Sequence, residues 1–231
     1  GVFLEEAEVQ HAAELPFVKE LCRVTFSVRE FTSDQFERSL TLRMRTAQRA
    51  LSVLARRTGV THSFRNVRGP AVHLLRETAS VADITVFEPT RRLGTSARRT
   101  LRSSGRKPLI VVALGDLDSG RRALLAAGHL ADDQASRICI LATGPAALDL
   151  QAIHRMCEEE LRGRPARLRT VPPEGGVSAL VDAAHFEGAA LFVMAATDES
   201  LKPATLHLLR ERLRCPICLV RQWPSRALPE A

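Results

Sequence analysis

The stretch that decides the fold is "LIVVALGDLDSGRRALLAAGHLA", Leu109 to Ala131. It opens with six consecutive apolar residues, which predict a strand over Pro108–Leu114 that is buried on both faces. A short polar turn follows, and apolar residues then recur at helical spacing. This pattern predicts a helix over Ser119–Ala131, with Asp118 or Ser119 as its N-cap. A buried strand followed by such a helix is the repeating unit of a parallel α/β sheet.

The same alternation continues through the second half of the chain. Three of the four remaining segments of strand type are continuously apolar, and only "RLRTV" alternates, which is typical of an edge strand. The arrangement predicts a doubly wound parallel sheet. Strands are predicted at Ile138–Leu141, Arg167–Val171, Leu191–Met194 and Ile217–Val220, and helices at Ala147–Leu161, Val177–Glu187 and Ala204–Leu213.

The first half repeats this pattern less completely. "FRNVRGPAVHLLRETASVADITVFEP" aligns with "LRTVPPEGGVSALVDAAHFEGAALFVMAA" at an offset of 104 to 108 residues, which indicates an internal duplication. We therefore predict a first domain over 1–106, a second over 107–223 and a tail over 224–231. The first domain shows the end of a strand at Val2–Leu4, a long helix from about Asp34 to Arg57, the strand "HSFRNV", a helix over Val72–Ser80 and the strand "ITVF".

Composition narrows the classes of protein. The chain has 231 residues, 45% of them hydrophobic, and no apolar run approaches the roughly 18–20 residues of a membrane span. "GVFLEEAEVQ" does not resemble a signal peptide, and five cysteines are an odd number, so we expect a soluble cytoplasmic protein with free thiols. The net charge is +7, which suits a polyanion, but the chain has no tyrosine and one tryptophan and so offers few rings on which bases could stack. A nucleic-acid partner is therefore not expected.

The order and spacing of these segments resemble the universal stress protein family in its tandem two-domain form. The resemblance rests on "VRGPAVHLLRETASVADITVF" and "GGVSALVDAAHFEGAALFVM", on "LLRERLRCPICLVR", and on the stretch quoted first. It implies a five-stranded parallel α/β domain, two of which pack as a pseudo-dimer or homodimer, and either ATP binding or its loss. The first domain lacks an obvious first strand and helix; these lie upstream, or a segment is shared or swapped.

The family's ATP-binding members place the triphosphate on a loop of form G-x2-G-x9-G-[ST] after strand four, and an acid after strand one. Asp116 lies one residue past the position of that acid, which is Gly115 here. Asp198 would repel a phosphate. We therefore predict that the second domain does not hold ATP at this loop. The family's glycines are replaced by Ala195, Asp198 and Leu208, and its hydroxyl residue by Leu209.

An alternative nucleotide site remains in the first domain. The segment Arg91–Lys107 holds seven basic residues and no acid, so it could bind ATP or AMP, a nucleic-acid backbone or an acidic partner. A solvated helix face that contacts the glutamates of "MCEEEL" is the reading we favour. The remnant anion site would consist of Arg91, Arg92, Gly94, Thr95 and Ser96.

The other groups of reactive residues do not indicate a catalytic, redox or metal site. Cys215 and Cys218 have C-x-x-C spacing but open an apolar strand, and no second pair exists for a zinc site. His154 and Cys157, one helical turn apart, have no partner pair either, and no nucleophile elbow, P-loop or H-E-x-x-H motif is present. We predict no catalytic residue, no metal and no cofactor. The sequence favours a stress-associated module with an unknown protein partner; a basic protein associated with nucleic acid is the weaker alternative.

Overall fold

The computed structural model describes residues 1–6, 11, 15, 19–21, 27–30, 33–88, 107–131 and 136–221. The chain divides into two compact units, Gly1–Leu74 and Leu75–Ala231. The predicted domain boundary after residue 106 follows the stretch 89–106, which lies outside the described residues, and it stays a prediction.

The first unit is built around a long helix and a parallel strand pair. Strands β1 (Val2–Glu6) and β4 (Arg65–Gly69) pair in parallel, with Val2 opposite Arg65. Strands β2 (Lys19–Leu21) and β3 (Val28–Glu30) pair antiparallel. Helix α1 ends at Thr58, and the next residue, Gly59, has a φ of +68°, which suits a residue without a side chain. The elements are β1 (Val2–Glu6), β2 (Lys19–Leu21), β3 (Val28–Glu30), α1 (Ser33–Thr58) and β4 (Arg65–Gly69), followed by α2 (Ala71–Val81), within which the unit boundary falls.

The second unit contains a six-stranded sheet of order β5-β10-β9-β6-β7-β8 among the residues described. Every pair is parallel except β5 with β10. The predicted parallel α/β fold class is confirmed, and the alternating "RLRTV" strand is indeed at an edge. The strands are β5 (Ile84–Phe87), β6 (Leu109–Leu114), β7 (Arg137–Ala142), β8 (Ala166–Thr170), β9 (Leu191–Ala196) and β10 (Ile217–Arg221); the helices are α3 (Leu117–Leu130), α4 (Leu150–Leu161), α5 (Gly176–Glu187) and α6 (Pro203–Arg212).

The core of this unit lies between the sheet and its helices. All six residues of β6 are buried, as expected for a central strand covered on both faces. On one face, α3 and α4 pack with residues such as Ala123 and Ile153 against Ile140 and its neighbours. On the other face, α5 contacts β6 and β7, and Leu206 of α6 is fully buried.

Three local features differ from the sequence expectations. Helix α3 begins at Leu117, and its N-cap is Asp116 rather than Asp118 or Ser119. The helix predicted from Ala147 is a 3-10 turn, Gly144–Leu148, followed by α4, whose N-cap Asp149 accepts from the Ala152 N–H at 2.8 Å. The strand "ITVF", assigned to the first domain, is β5, which pairs antiparallel with β10.

None of the helices that the structure describes combines the length and the apolar character needed to cross a bilayer.

Candidate functional site

The candidate site is the place where the strand order of the second unit reverses. From β6 the chain adds β7 and β8 on one side, and it then returns to add β9 and β10 on the other. In open parallel sheets, ligands bind beyond the carboxyl ends of the strands at this switch point. Two segments flank it here: Gly115–Leu117, which follows β6, and the 197–202 turn, which follows β9.

The 197–202 turn is closed by its own hydroxyl groups. The Thr197 N–H donates to Ser200 Oγ at 2.8 Å, and the Ser200 N–H donates to Thr197 Oγ1 at 3.2 Å. Ser200 Oγ donates in turn to the Thr197 carbonyl oxygen at 3.0 Å, and the Leu201 N–H donates to the same oxygen at 3.0 Å. A phosphate cradle needs backbone N–H groups that point at the anion. In this turn those of Thr197, Ser200 and Leu201 are already bonded within the turn.

The charge of the turn also opposes an anion. Asp198 and Glu199 are exposed, and Glu199 forms an ion pair with Lys202 of the same turn. Ser200 is 2% exposed, so its hydroxyl is fixed inside the turn rather than offered to solvent. The predicted absence of a glycine cradle thus coincides with a turn in which the backbone donors of Thr197, Ser200 and Leu201 are bonded internally.

The carboxylate of Asp116, on the other side of the switch point, is also hydrogen-bonded within the protein. Asp116 Oδ1 accepts from the Ser119 N–H at 2.8 Å, and its other oxygen accepts from the Ser119 hydroxyl. Ser119 is 2% exposed. The Gly115 carbonyl oxygen accepts from the Ala146 N–H at 3.3 Å. Asp116 therefore starts helix α3, and sequence reasoning missed this role although aspartate is a favoured N-cap residue.

The cysteines of the C-x-x-C pair lie in the core. Cys215 is 5% exposed and Cys218 is fully buried. Burial raises the pKa of each thiol to about 11, so neither provides a thiolate near neutral pH. Among the described residues, no group of three or more His, Cys, Asp or Glu side chains is placed to hold a metal ion.

A shallow cleft of about 220 Å³ opens between α4 and β8. His154 and Cys157, which sequence reasoning placed on a helix face, both line it, with Glu158 beside them. Burial, and secondarily the charge of Glu158, raise the pKa of the Cys157 thiol to about 11. The cleft therefore lacks an activated nucleophile. Leu168 and Ala166 of the edge strand form its other wall.

The remnant site of the first domain, Arg91, Arg92, Gly94, Thr95 and Ser96, lies outside the described residues. The glutamates of "MCEEEL" do have arginine neighbours within the described part of the chain. Arg121 of α3 forms ion pairs with Glu159 and Glu160, the latter at 3.3 Å. These glutamates join α3 to α4.

Comparison with solved structures finds universal stress proteins. One from Archaeoglobus fulgidus is 11% identical with a TM-score of 0.44, and the match covers 82% of this chain and 80% of that one. A member of the family from Burkholderia pseudomallei is 24% identical with a TM-score of 0.34, covering 51% of this chain and 98% of that one. A universal stress protein in complex with cAMP is 20% identical with a TM-score of 0.37, covering 52% and 100%.

All three carry the name of the family that the sequence resembles. A scan against protein-family models gives no match, and a search of curated proteins gives none either.

Proposed function

We propose that this universal-stress-protein-like chain is a non-catalytic, stress-associated module that does not bind ATP at the 197–202 turn. It acts by binding a protein partner, as a homodimer or as a pseudo-dimer within the chain. The observation that carries the proposal is the hydrogen-bonded closure of the turn by Thr197 and Ser200.

The internal hydrogen bonds of the turn set a free-energy cost for binding a triphosphate there. A triphosphate would have to replace the bonds made by three backbone N–H groups, those of Thr197, Ser200 and Leu201. At about 1 kcal/mol for each net bond, the penalty is about 3 kcal/mol, or roughly a hundredfold in affinity. Asp198 adds repulsion to this penalty. Asp116 cannot offset it without uncapping α3, since both of its carboxylate oxygens accept bonds from Ser119.

Thermal unfolding of the full chain with ATP, ADP, AMP and cAMP, each with and without magnesium, tests the proposal; cAMP is included because one matched structure is a complex with it. A site with a Kd near 10 μM would add roughly 2.7 kcal/mol at about 1 mM ligand, which is a rise of about 5–10 °C in Tm. We expect no rise.

Two variants identify the source of any rise. If Ser200→Gly abolishes it, the 197–202 turn does bind the nucleotide and the proposal is wrong. If instead the rise is lost in Arg91→Gln/Arg92→Gln and kept in Ser200→Gly, nucleotide binding belongs to the remnant site with Gly94, Thr95 and Ser96. In that case the 197–202 turn still does not bind the nucleotide, and the function becomes nucleotide binding in the first domain.

A further inference from the structure

Helix α1 carries four arginines in a straight row. Arg38, Arg45, Arg49 and Arg56 are separated by seven, four and seven residues. At 3.6 residues per turn these spacings place all four within about 40° of one another around the helix. At about 1.5 Å per residue the row is roughly 27 Å long. We call these four residues the arginine row.

The row is on the outer side of the helix. All four arginines are exposed, whereas Leu40 and Leu51 are partly buried. Each of these leucines lies two residues after an arginine of the row, which is about 200° around the helix. The Leu51 side chain lies against Gly1, at the start of β1. Part of the apolar side of α1 is therefore used within the first unit, although Leu54 on the same side is 61% exposed, and the row points to solvent.

The positive charge of the row is not neutralised by the described part of the chain. From Arg38 to Arg76 the sequence contains nine arginines and no aspartate or glutamate. None of the ion pairs between described residues involves the row. The acids of α1, Asp34 and Glu37, lie at the start of the row, where they line one surface depression with Arg38 and Arg45. Four exposed guanidinium groups thus form a line of positive charge.

We propose that the arginine row binds the phosphate backbone of a double-stranded nucleic acid without reading its sequence. A guanidinium group suits phosphate because it offers paired donors and a permanent charge. The partner must be long, since a 27 Å row runs beside roughly 8 base pairs at about 3.4 Å each. Phe36 is the one aromatic residue of α1, and it is partly buried about 160° from the row, so the row offers no platform on which unpaired bases could stack.

The geometry favours a nucleic acid over a membrane surface. A helix that lies in a bilayer interface inserts an apolar face, with its basic residues on the opposite side. In α1 that opposite face includes Leu40 and Leu51, which are partly buried within the protein. Among the described residues of α1, the large aliphatic side chains that are exposed are Leu42 and Val53 beside the row and Leu54 on the opposite side. A narrow line of charge matches a rod-shaped polyanion better than it matches a plane.

The test measures the salt dependence of binding by fluorescence anisotropy of the full chain. The probes are a labelled DNA duplex of about 20 base pairs, which is longer than the row, the RNA duplex of the same sequence and one separated DNA strand. Four phosphate contacts predict a slope of log K against log salt of about −3.6, or roughly a 150-fold loss of affinity between about 50 and 200 mM salt. Preference between the DNA and RNA duplexes identifies the source of the phosphate, and binding of either duplex supports the proposal.

Two double variants locate the site. Arg45→Gln/Arg49→Gln leaves two contacts, so the slope is expected to fall to about −1.8 and the loss over the same salt range to about 12-fold. The matched control, Arg155→Gln/Arg214→Gln, removes the same charge from exposed positions of the second unit and should keep the parental slope. Thermal unfolding of each variant shows that it is folded.

Three results would overturn the proposal. The first is an equal slope for the two double variants, which would make binding a matter of net charge alone. The second is tighter binding of the single strand than of both duplexes. The third is binding to vesicles that contain anionic phosphatidylglycerol in phosphatidylcholine, with no binding to either duplex.

Discussion

The Ser200 hydroxyl offers the sharpest test of how the 197–202 turn is held. In Ser200→Ala the hydroxyl is lost, and with it the acceptor of the Thr197 N–H at 2.8 Å. The Thr197 carbonyl oxygen keeps its bond from the Leu201 N–H at 3.0 Å, so one backbone donor is left without a partner. An orphaned donor in a poorly solvated position costs about 1–3 kcal/mol. For a chain of this size we expect a Tm lower by about 4–8 °C at a cost of about 2 kcal/mol.

The measurement is thermal unfolding followed by circular dichroism, with urea unfolding as an independent value for the free energy. Glu199→Gln is the matched control in the same turn. It removes an ion pair with Lys202 in which both side chains are more than half exposed, and such pairs contribute about 0–1 kcal/mol. If Ser200→Ala leaves the Tm unchanged, or if both variants lower it equally, the turn is not held by its hydroxyls. A turn closed by its hydroxyls would then no longer oppose a phosphate at this position.

Other perturbations test the fold. Asp116→Ala should cost about 0.5–2 kcal/mol in urea unfolding, and more than Asp118→Ala, because Asp116 is the N-cap of α3. Phe192→Ala, at a fully buried position of β9, should cost about 3–5 kcal/mol in the same assay, and a smaller loss would place Phe192 outside the core. Burial raises the pKa of Cys218 from 9.0 to about 11, so the unfolded chain ionises this thiol first as pH rises. The free energy of unfolding should therefore fall by about 2–3 kcal/mol more between pH 9.0 and about 11 than it does in Cys218→Ala; parallel pH curves for the two proteins would contradict this.

Strands β6, β7, β9 and β10 of the second unit could be predicted because their apolar runs are continuous. The sequence placed the last strand at Ile217–Val220, and β10 is Ile217–Arg221. A run of this kind reports burial on both faces, which is decided locally. The partner of a short strand is not decided locally. "ITVF" was expected in the first domain, yet β5 pairs antiparallel with β10, and the four residues themselves carry no signal for this partner.

Part of the candidate site could likewise be predicted from the sequence, and part required the structure. The absence of glycine from the 197–202 turn could be read directly from the sequence, and it predicts that the backbone does not approach a phosphate closely there. The exchange of bonds between Thr197 and Ser200 required the geometry of the turn. The arginine row was within reach of the sequence, because spacings of seven, four and seven residues are helical. The sequence-based prediction placed a basic site at residues 91–107 instead and did not include the row.

The arginine row and the 197–202 turn both bear on phosphate binding, yet a line of arginines and a compact loop make different demands on a ligand. Arg45 and Arg49 lie about 6 Å apart along the axis of α1, and each outer arginine is about 10.5 Å further on. The Debye length at physiological ionic strength is about 8 Å, so an exposed arginine acts mainly on charges close to it. A triphosphate can therefore meet the central pair but not all four residues, whereas a polymer meets every one. It follows that ATP should displace a bound duplex only weakly, while a longer unlabelled duplex displaces it well. Equal displacement by ATP would mean that a compact anion site, and not a line of charge, holds the duplex.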